Sequence, residues 1–332
     1  MKILLSHGDG GSLTNQLVKD VFRTAFQDEF LEEEGDASIL PNMSGRVAVS
    51  TDTFVIDPLE FPGGDIGKLA IAGTVNDLAV SGAIPQYLTA GFILEEGLSI
   101  ERLKKIVQSM AHTARDAGVR IVAGDTKVVE RGKGDGIYIN TTGIGYYPIE
   151  RRLGFDQIQP GDCILINGGI AEHAVAVLSE RAGIGFSEVL QSDCRPLNKM
   201  IYALLKRFHS VRFMRDPTRG GIATTLKEIA LQTKMDMMIQ EEFLPVRPRV
   251  RGALELLGME PYYMANEGKV LIIAASEEAD EIVSFLRQFP DQEIAGRIGT
   301  VQTGSGNVWL KTPFGGTRNL GMLSGTPLPR IC

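Results

Sequence analysis

Strand-like and helix-like segments alternate along this chain of 332 residues, and the alternation is interrupted once, at residues 147–160. A chain of this length can bury two ordinary hydrophobic cores. We therefore predict an N-terminal domain at residues 1–150 and a C-terminal domain at residues 151–311. Residues 312–332 have no hydrophobic periodicity and form a third segment.

The first half combines strands at hairpin-like spacing with long helices, which favours a mixed α+β domain over a doubly wound sheet. The predicted strands are Arg46–Ile56, Gln86–Leu94, Val119–Ala123 and Ile137–Ile144, and the predicted helices follow residues 62–65 and Ser99. The helix after Ser99 has apolar residues at helical spacing and is expected to end at Gly118.

The second half has the pattern of an α/β domain. Asp162–Ile166 is predicted to be a strand that leads through two glycines into a helix. Residues 216–221 introduce another helix, and Val270–Ala274 is a continuous apolar run typical of a buried strand.

Residues 312–332 are rich in glycine and proline, a composition that predicts a mobile or loosely docked tail. As a random coil the tail would span ~25 Å, and fully extended up to ~70 Å. It ends in Cys332, a thiol that we do not expect in a core. The reference thiol pKa of ~8.5 leaves little thiolate at neutral pH. The α-carboxylate of Cys332 should raise its pKa further, and Arg330 should offset part of that rise. The alternative to a functional thiol at this position is a dispensable chain end.

Composition excludes several function classes. The net charge is −7 and no basic stripe is present, so a nucleic-acid partner is not expected. No apolar run approaches the ~18 residues of a membrane span. The three cysteines are an odd number without metal-ligand spacing, which indicates a cytoplasmic protein with free thiols.

Common nucleotide and catalytic motifs are absent, including HExxH, the nucleophile elbow and CxxC. The nearest match to a Walker A motif has Pro62 in place of its first glycine and Leu69 in place of its Ser or Thr. Three carboxylates near element ends, Asp52, Asp77 and Asp125, are instead candidate ligands of Mg²⁺. Taken alone, each is more often a cap or turn former, except that Asp77 falls inside an apolar helical pattern and needs a partner.

A glycine-rich loop at residues 8–12 precedes a helix, and the backbone N–H groups of Gly10 and Gly11 could cradle phosphate. His7 is a possible contact of the same loop, and Arg219 could meet phosphate at the start of a later helix. Ordinary turns are the alternative at each place. Residues 266–268 precede a predicted buried strand, and an exposed turn is the ordinary interpretation of this segment.

Together these motifs resemble the superfamily of aminoimidazole ribonucleotide synthetase, the PurM-like proteins. The motifs are residues 8–11, 50–52, 62–67, 74–79, 124–127 and 216–221, and they extend over essentially the whole chain. The ending Pro329-Arg330-Ile331-Cys332 resembles the carbamoyl dehydratase family of hydrogenase maturation. The resemblance implies an α+β N-terminal domain that dimerises through its strands into a β-barrel, then an α/β C-terminal domain and a flexible tail. It also implies that ATP and Mg²⁺ bind between the domains.

The resemblance further implies ATP-dependent conversion of a thiocarbamate on Cys332 to a thiocyanate, which supplies the cyanide ligand of iron in a [NiFe] hydrogenase. Glu267 would take protons from the carbamoyl nitrogen, and Lys127 would lie near the transferred phosphate. The implied nucleotide-binding residues are Gly10, Gly11, Asp52, Asp65, Asp77 and Asp125. Of these, Asp52, Asp77 and Asp125 would hold Mg²⁺.

The implied partners are a second copy of the chain, a HypF-like carbamoyltransferase and an iron-carrying HypC–HypD-like scaffold complex. Two other functions stay open. One is a superfamily enzyme acting on a free small molecule, such as a purine-pathway synthetase or a small-molecule kinase. The other is a non-catalytic thiol carrier that docks partners through its tail.

Overall fold

The computed structural model describes residues 1–32, 37–43, 45–148, 152–183, 189–323 and 330–332. The predicted boundary at residues 150 and 151 lies outside these ranges, as do residues 324–329 of the predicted tail. The strands are β1 (Val47–Phe54), β2 (Glu60–Phe61), β3 (Gly64–Asp65), β4 (Ile84–Glu95), β5 (Arg120–Val129), β6 (Ile137–Tyr146), β7 (Cys163–Ile166), β8 (Val211–Arg215), β9 (Met235–Gln240), β10 (Leu271–Ala274), β11 (Gly296–Thr303), β12 (Val308–Lys311) and β13 (Thr317–Asn319). The helices are α1 (Ser12–Leu17), α2 (Thr24–Phe26), α3 (Ile66–Val80), α4 (Ile100–Ala117), α5 (Glu172–Ala182), α6 (Asn198–Arg207), α7 (Gly221–Thr233), α8 (Pro248–Leu257) and α9 (Ala279–Leu286).

The N-terminal domain is built on a sheet with the strand order β1-β6-β4-β5. The pairs β1/β6 and β6/β4 are antiparallel and β4/β5 is parallel, so the prediction of a mixed α+β domain is confirmed. Helix α4 buries the apolar stripe expected of it and ends at Gly118, whose φ of 75° is the left-handed conformation that favours glycine at this position.

Helix α3 is the central helix of this domain, and it is apolar on nearly all sides. A helix of that kind must be enclosed by other elements. It packs against β1, β6 and α4, and it also contacts α6 of the second domain. Asp77 therefore lies on a helix with little access to water, as the apolar pattern around it predicted.

The C-terminal domain has a sheet with the order β13-β12-β9-β11-β7-β10-β8. Helices α6 and α9 cover one face and α7 covers the other. The prediction of an α/β domain was wrong in one respect, because only the β9/β12 pair is parallel and the other neighbouring pairs are antiparallel. Strands that follow each other in sequence are mostly not neighbours in this sheet, so intervening helices did not indicate parallel crossovers.

The described parts of residues 312–332 are in contact with the rest of the molecule. Thr317–Asn319 forms β13 against β12, which the sequence did not predict. At the chain end, Ile331 is buried and pairs with Ile56 of the N-terminal domain. No helix within the described ranges is both long and apolar enough to cross a bilayer.

Candidate active site at the docked C-terminus

The thiol of Cys332 lies close to the carboxyl group of Glu267, so that each group shifts the pKa of the other, and Glu267 Oε1 is buried without a hydrogen-bond partner among the described residues. Glu267 is buried in the segment before β10, whereas the ordinary interpretation of the sequence there was an exposed turn. Cys332 is partly buried and packs against a core cluster built from both domains, although it is not itself one of the buried residues of that cluster. The fold therefore brings the last residue close to the carboxyl group predicted to act on it.

Burial raises the pKa of Glu267 well above its ordinary value, and the neighbouring carboxyl groups of Asp193 and Asp216 raise it further. The nearby thiol of Cys332 opposes this rise. The pKa of the Cys332 thiol is also raised, first by burial and then by Glu267, while Arg219 lowers it. Glu267 thus disfavours the thiolate form of Cys332, whereas the neutral thiol favours the carboxylate form of Glu267.

A buried ion pair holds the segment that carries Glu267. Asp193 accepts hydrogen bonds from the backbone N–H groups of Glu267 (3.2 Å) and Gly268 (3.0 Å). The ammonium group of Lys269 lies 3.4 Å from Asp193 and 3.3 Å from Glu172. A side chain at position 268 would collide with the carbonyl of Asp193, so only glycine permits this close approach.

Helix α3 ties the two domains together beside this segment. The amide of Asn76 donates to the carbonyl oxygens of Arg195 (3.0 Å) and Glu267 (3.4 Å) and accepts from the N–H of Leu197 (2.7 Å). The next residue, Asp77, accepts from the hydroxyl of Ser50 on β1 (2.7 Å). One short stretch of α3 therefore positions both Glu267 and a predicted metal ligand.

Asp77 belongs to a group of three carboxylates with Asp52 and Asp216. Burial raises the pKa of all three, and each of Asp77 and Asp216 is raised further by a neighbouring carboxylate. The pKa of Asp216 reaches about 7. Carboxylates that share a poorly solvated space and repel each other are stabilised by a bound cation.

The donor set suits Mg²⁺, which prefers carboxylate oxygens and normally completes its shell with water and phosphate. The described residues contain no ready group of three or more ligating side chains at metal-binding spacing. One or two carboxylates with substrate phosphates are enough for Mg²⁺, and Asp52 and Asp77 can provide these. When bound, the ion would neutralise charge on phosphate oxygens.

Asp125 is not brought to Asp52 and Asp77 within one chain. The register aligns Asp52 with Thr141, Ala90 and Gly124 across the sheet. Asp125 is one position further along, so its side chain points to the opposite face, three strand spacings or roughly 14 Å away. There it is exposed and pairs with Lys127 at 2.8 Å. Within a single chain, the predicted set of three metal ligands is not assembled.

The glycine-rich loop lies beside β5, near Lys127. A side chain at Gly8 would collide with Val128, so the loop and the strand are in close contact. The N–H of Gly10 already donates to the hydroxyl of Thr14 (3.0 Å), and Gly11 precedes α1. An apolar cleft of about 180 Å³ opens beside Asp125, and its lining includes the rings of Phe22, Phe26 and Phe92.

Two further residues have local structural contacts. Asp65 caps α3 by accepting from the N–H of Lys68 (2.9 Å), so its described contact is with the helix. His7 is buried and bonds the backbone of Leu4. Both contacts are explained by the fold alone.

Three residues around the chain end, His173, Asp193 and Lys269, belong to none of the sequence motifs. A lysine directly before a predicted buried strand was a usable signal, because a charge at that position needs a buried partner. His173 and Asp193 gave no signal, since their partners are more than a dozen residues distant in sequence.

Comparison with known proteins places this geometry in a family context. Residues 34–147 match the model of the N-terminal domain of AIR synthase related proteins, and residues 159–311 match that of the C-terminal domain. The chain is 48% identical over 327 residues to the carbamoyl dehydratase HypE of Azotobacter vinelandii, covering 98% of this chain and 96% of the relative.

Two solved structures are also similar. The structure of the hydrogenase maturation protein HypE in complex with ATP is 44% identical with a TM-score of 0.96, covering 99% of both chains. A chain from a HypE–HypF complex is 42% identical with a TM-score of 0.81, covering 94% of this chain and 100% of that one.

Proposed function

The chain belongs to the carbamoyl dehydratase HypE family of AIR synthase related proteins, and on that premise we propose that it dehydrates a carbamoyl group carried on its own Cys332. The product would be a thiocyanate on the same sulfur, made at the expense of ATP. It would serve as the source of the cyanide ligand of iron in hydrogenase maturation.

One observation carries the proposal, which is that the Cys332 thiol lies near the buried Glu267 carboxyl group. A terminal residue has no packing reason to end at a desolvated carboxyl group. A carbamoyl group on this sulfur would place its nitrogen close to Glu267.

The reaction would proceed in two steps. The carbamoyl oxygen attacks the terminal phosphorus of ATP and ADP leaves, while one N–H proton is lost. The second N–H proton then passes to a base, the C–O bond breaks and phosphate leaves with the former carbamoyl oxygen. A C≡N group remains on sulfur, with ADP and phosphate as the other products.

Glu267 is suited to the base role because its raised pKa makes it a stronger proton acceptor than an ordinary carboxylate. Once protonated it would be a neutral group in an apolar surrounding, which is the form that burial favours. Its position is fixed by Asp193 through the backbone.

The nucleotide would lie beside the pocket that holds Cys332 and Glu267, at the end of the N-terminal sheet that carries Asp52 and Asp77. Asp52 and Asp77 would hold Mg²⁺, and the aromatic cleft beside Asp125 suits a purine ring. Because Asp125 and Lys127 point away from Asp77, we propose that a second copy supplies them. The open face carries the exposed apolar side chains of Val47, Val49 and Ile93, which supports pairing of two such sheets into a β-barrel.

The partners follow from the same reaction. Cys332 must be loaded with a carbamoyl group, and a similar chain has been solved in a HypE–HypF complex. We propose a HypF-like carbamoyltransferase as the donor and a HypC–HypD-like iron-carrying scaffold as the acceptor. The tail would have to move away from Glu267 to reach each of these two partners. Three free cysteines fit a reducing cytoplasm.

The test is intact-mass measurement of the C-terminal peptide after incubation with the carbamoyl donor system. A carbamoyl adduct should form without ATP hydrolysis by this chain, and it should become lighter by one water when ATP is added. Cys332→Ala should abolish both changes, whereas Cys163→Ala, which removes a buried thiol in β7, should retain them.

Other outcomes favour the alternative functions. Loading of Cys332 without any ATP-dependent mass change would indicate a thiol carrier. ATP turnover on a free small molecule that survives removal of residues 312–332 would indicate a small-molecule enzyme of the same superfamily.

A further inference from the structure

His173 on α5 is a buried histidine with a partner at each ring nitrogen. Its Nδ1 lies 2.8 Å from the hydroxyl oxygen of Ser192, and its Nε2 lies 2.8 Å from the carbonyl oxygen of Ile331. The ring packs edge-on against Phe61 at a centroid distance of 5.2 Å. A side chain of the C-terminal domain thus holds the backbone one residue before Cys332.

The partners fix the position of the ring proton. A carbonyl oxygen can only accept, so Nε2 carries the hydrogen and donates it to Ile331. Nδ1 then accepts from the Ser192 hydroxyl, whose oxygen in turn accepts from the N–H of Cys194 (3.1 Å). Burial lowers the pKa of His173, against the opposing effects of Asp193 and the Ile331 carbonyl. The ring is therefore a neutral donor.

The polar contacts of Arg330, by contrast, lie at the protein surface. The carbonyl of Arg330 accepts from the N–H of Asp57 (3.2 Å) and from Arg181 (2.9 Å). The Arg330 side chain, itself 43% exposed, pairs with Asp57 and Asp135. Water can replace these contacts at little cost. It cannot reach the His173–Ile331 bond while Ile331 is in place, because both residues are buried.

We propose that His173 is the latch of the C-terminal arm, which is residues 330–332. Its Nε2–H bond to the Ile331 carbonyl holds the Cys332 sulfur at Glu267, and breaking that bond releases the thiol. This inference rests on the proposed function, in which the arm must leave to be loaded and return to be dehydrated. A single neutral hydrogen bond suits such exchange, since it changes an equilibrium by only about three- to tenfold. His173 is accordingly a positioning residue.

The test uses the full chain without ATP or partners and follows alkylation of Cys332 by iodoacetamide in the C-terminal peptide. His173→Gln and His173→Asn form a matched pair. The glutamine amide can reach the position of Nε2, whereas the asparagine amide reaches only that of Nδ1. We expect alkylation of the Asn variant to be three- to tenfold faster than that of wild type, and the Gln variant to stay within twofold of wild type.

Cys163 and Cys194 report on the integrity of the fold, because both are buried. They should remain unreactive in both variants. If either becomes reactive in the Asn variant, Ser192→Ala takes its place. Loss of the Ser192 hydroxyl frees the ring, so alkylation of Cys332 should still accelerate. Equal alkylation rates for Cys332 in wild type and in the folded variant would overturn the latch.

A second readout separates a latch from a general defect. In single turnovers the Asn variant should be loaded by the carbamoyltransferase at least as fast as wild type, yet dehydrate three- to tenfold more slowly. A parallel loss of both steps would contradict the latch. If alkylation responds as expected but no dehydration occurs in wild type, the proposed function fails and the latch stands.

Discussion

Two lysine–aspartate pairs lie near the proposed reaction, and their surroundings are opposite. Lys269 and Asp193 have side chains with 0% exposure and are fixed within one chain. Lys127 and Asp125 have side chains that are 64% and 69% exposed at the edge strand β5. The buried pair supports the segment of Glu267, whereas the exposed pair has few contacts to hold it. The residues around Cys332 are thus fixed within one chain, whereas the exposed pair is the one that we propose acts together with a second copy.

The largest effect is expected from Glu267→Gln, which alters the side of this comparison that is fixed within one chain. Removing the base should slow dehydration of loaded Cys332 by about 10²- to 10⁴-fold, as measured by single-turnover mass analysis. Loading of Cys332 should continue, so the carbamoyl adduct accumulates. Glu260→Gln, which alters an exposed carboxylate paired with Arg318, serves as the control. A Glu267→Gln rate within threefold of wild type would remove Glu267 from the role of base.

The next effect compares the two lysines directly by urea unfolding. Lys269→Met leaves Asp193 buried without its cation, which should lower the free energy of unfolding by about 3–5 kcal/mol. Lys127→Met breaks an exposed pair and should lower it by less than about 1 kcal/mol. The rate of dehydration should show the reverse order, because Lys127→Met is expected to impair the use of ATP. Similar destabilisation by both substitutions would contradict the difference between the two regions.

The smallest effect is a pH dependence of the docked thiol. The pKa of Cys332 is raised by burial and by Glu267, so docking is fully favourable below the pKa of a free terminal thiol and weakens as pH rises above it. The pH midpoint of Cys332 alkylation should therefore lie higher in the protein than in the isolated C-terminal peptide. Glu267→Gln should shift the midpoint part of the way down. Coincident midpoints for protein and peptide would show that Cys332 is not docked in solution.

Local pattern predicted much of the fold. The apolar periodicity and glycine stop of α4 are properties of one helix, and they were confirmed at Ile100–Ala117. The strand around Asp52 and the enclosed helix around Asp77 were also confirmed. The direction of strands in the second sheet was wrong, because pairing joins segments that are far apart in sequence and local periodicity does not record it.

By itself the sequence determined the residue types of the site, because a terminal thiol, scattered carboxylates and glycine-rich turns each have a chemical meaning independent of position. Only the tertiary structure decided which of them meet. It joined Cys332 to Glu267 and set Asp125 on the far face of the sheet. It also supplied His173 and Asp193, whose roles depend on burial and on partners distant in sequence. The physical reason is that desolvation and contact across the chain, which set proton affinity and reach, exist only once the cores have formed.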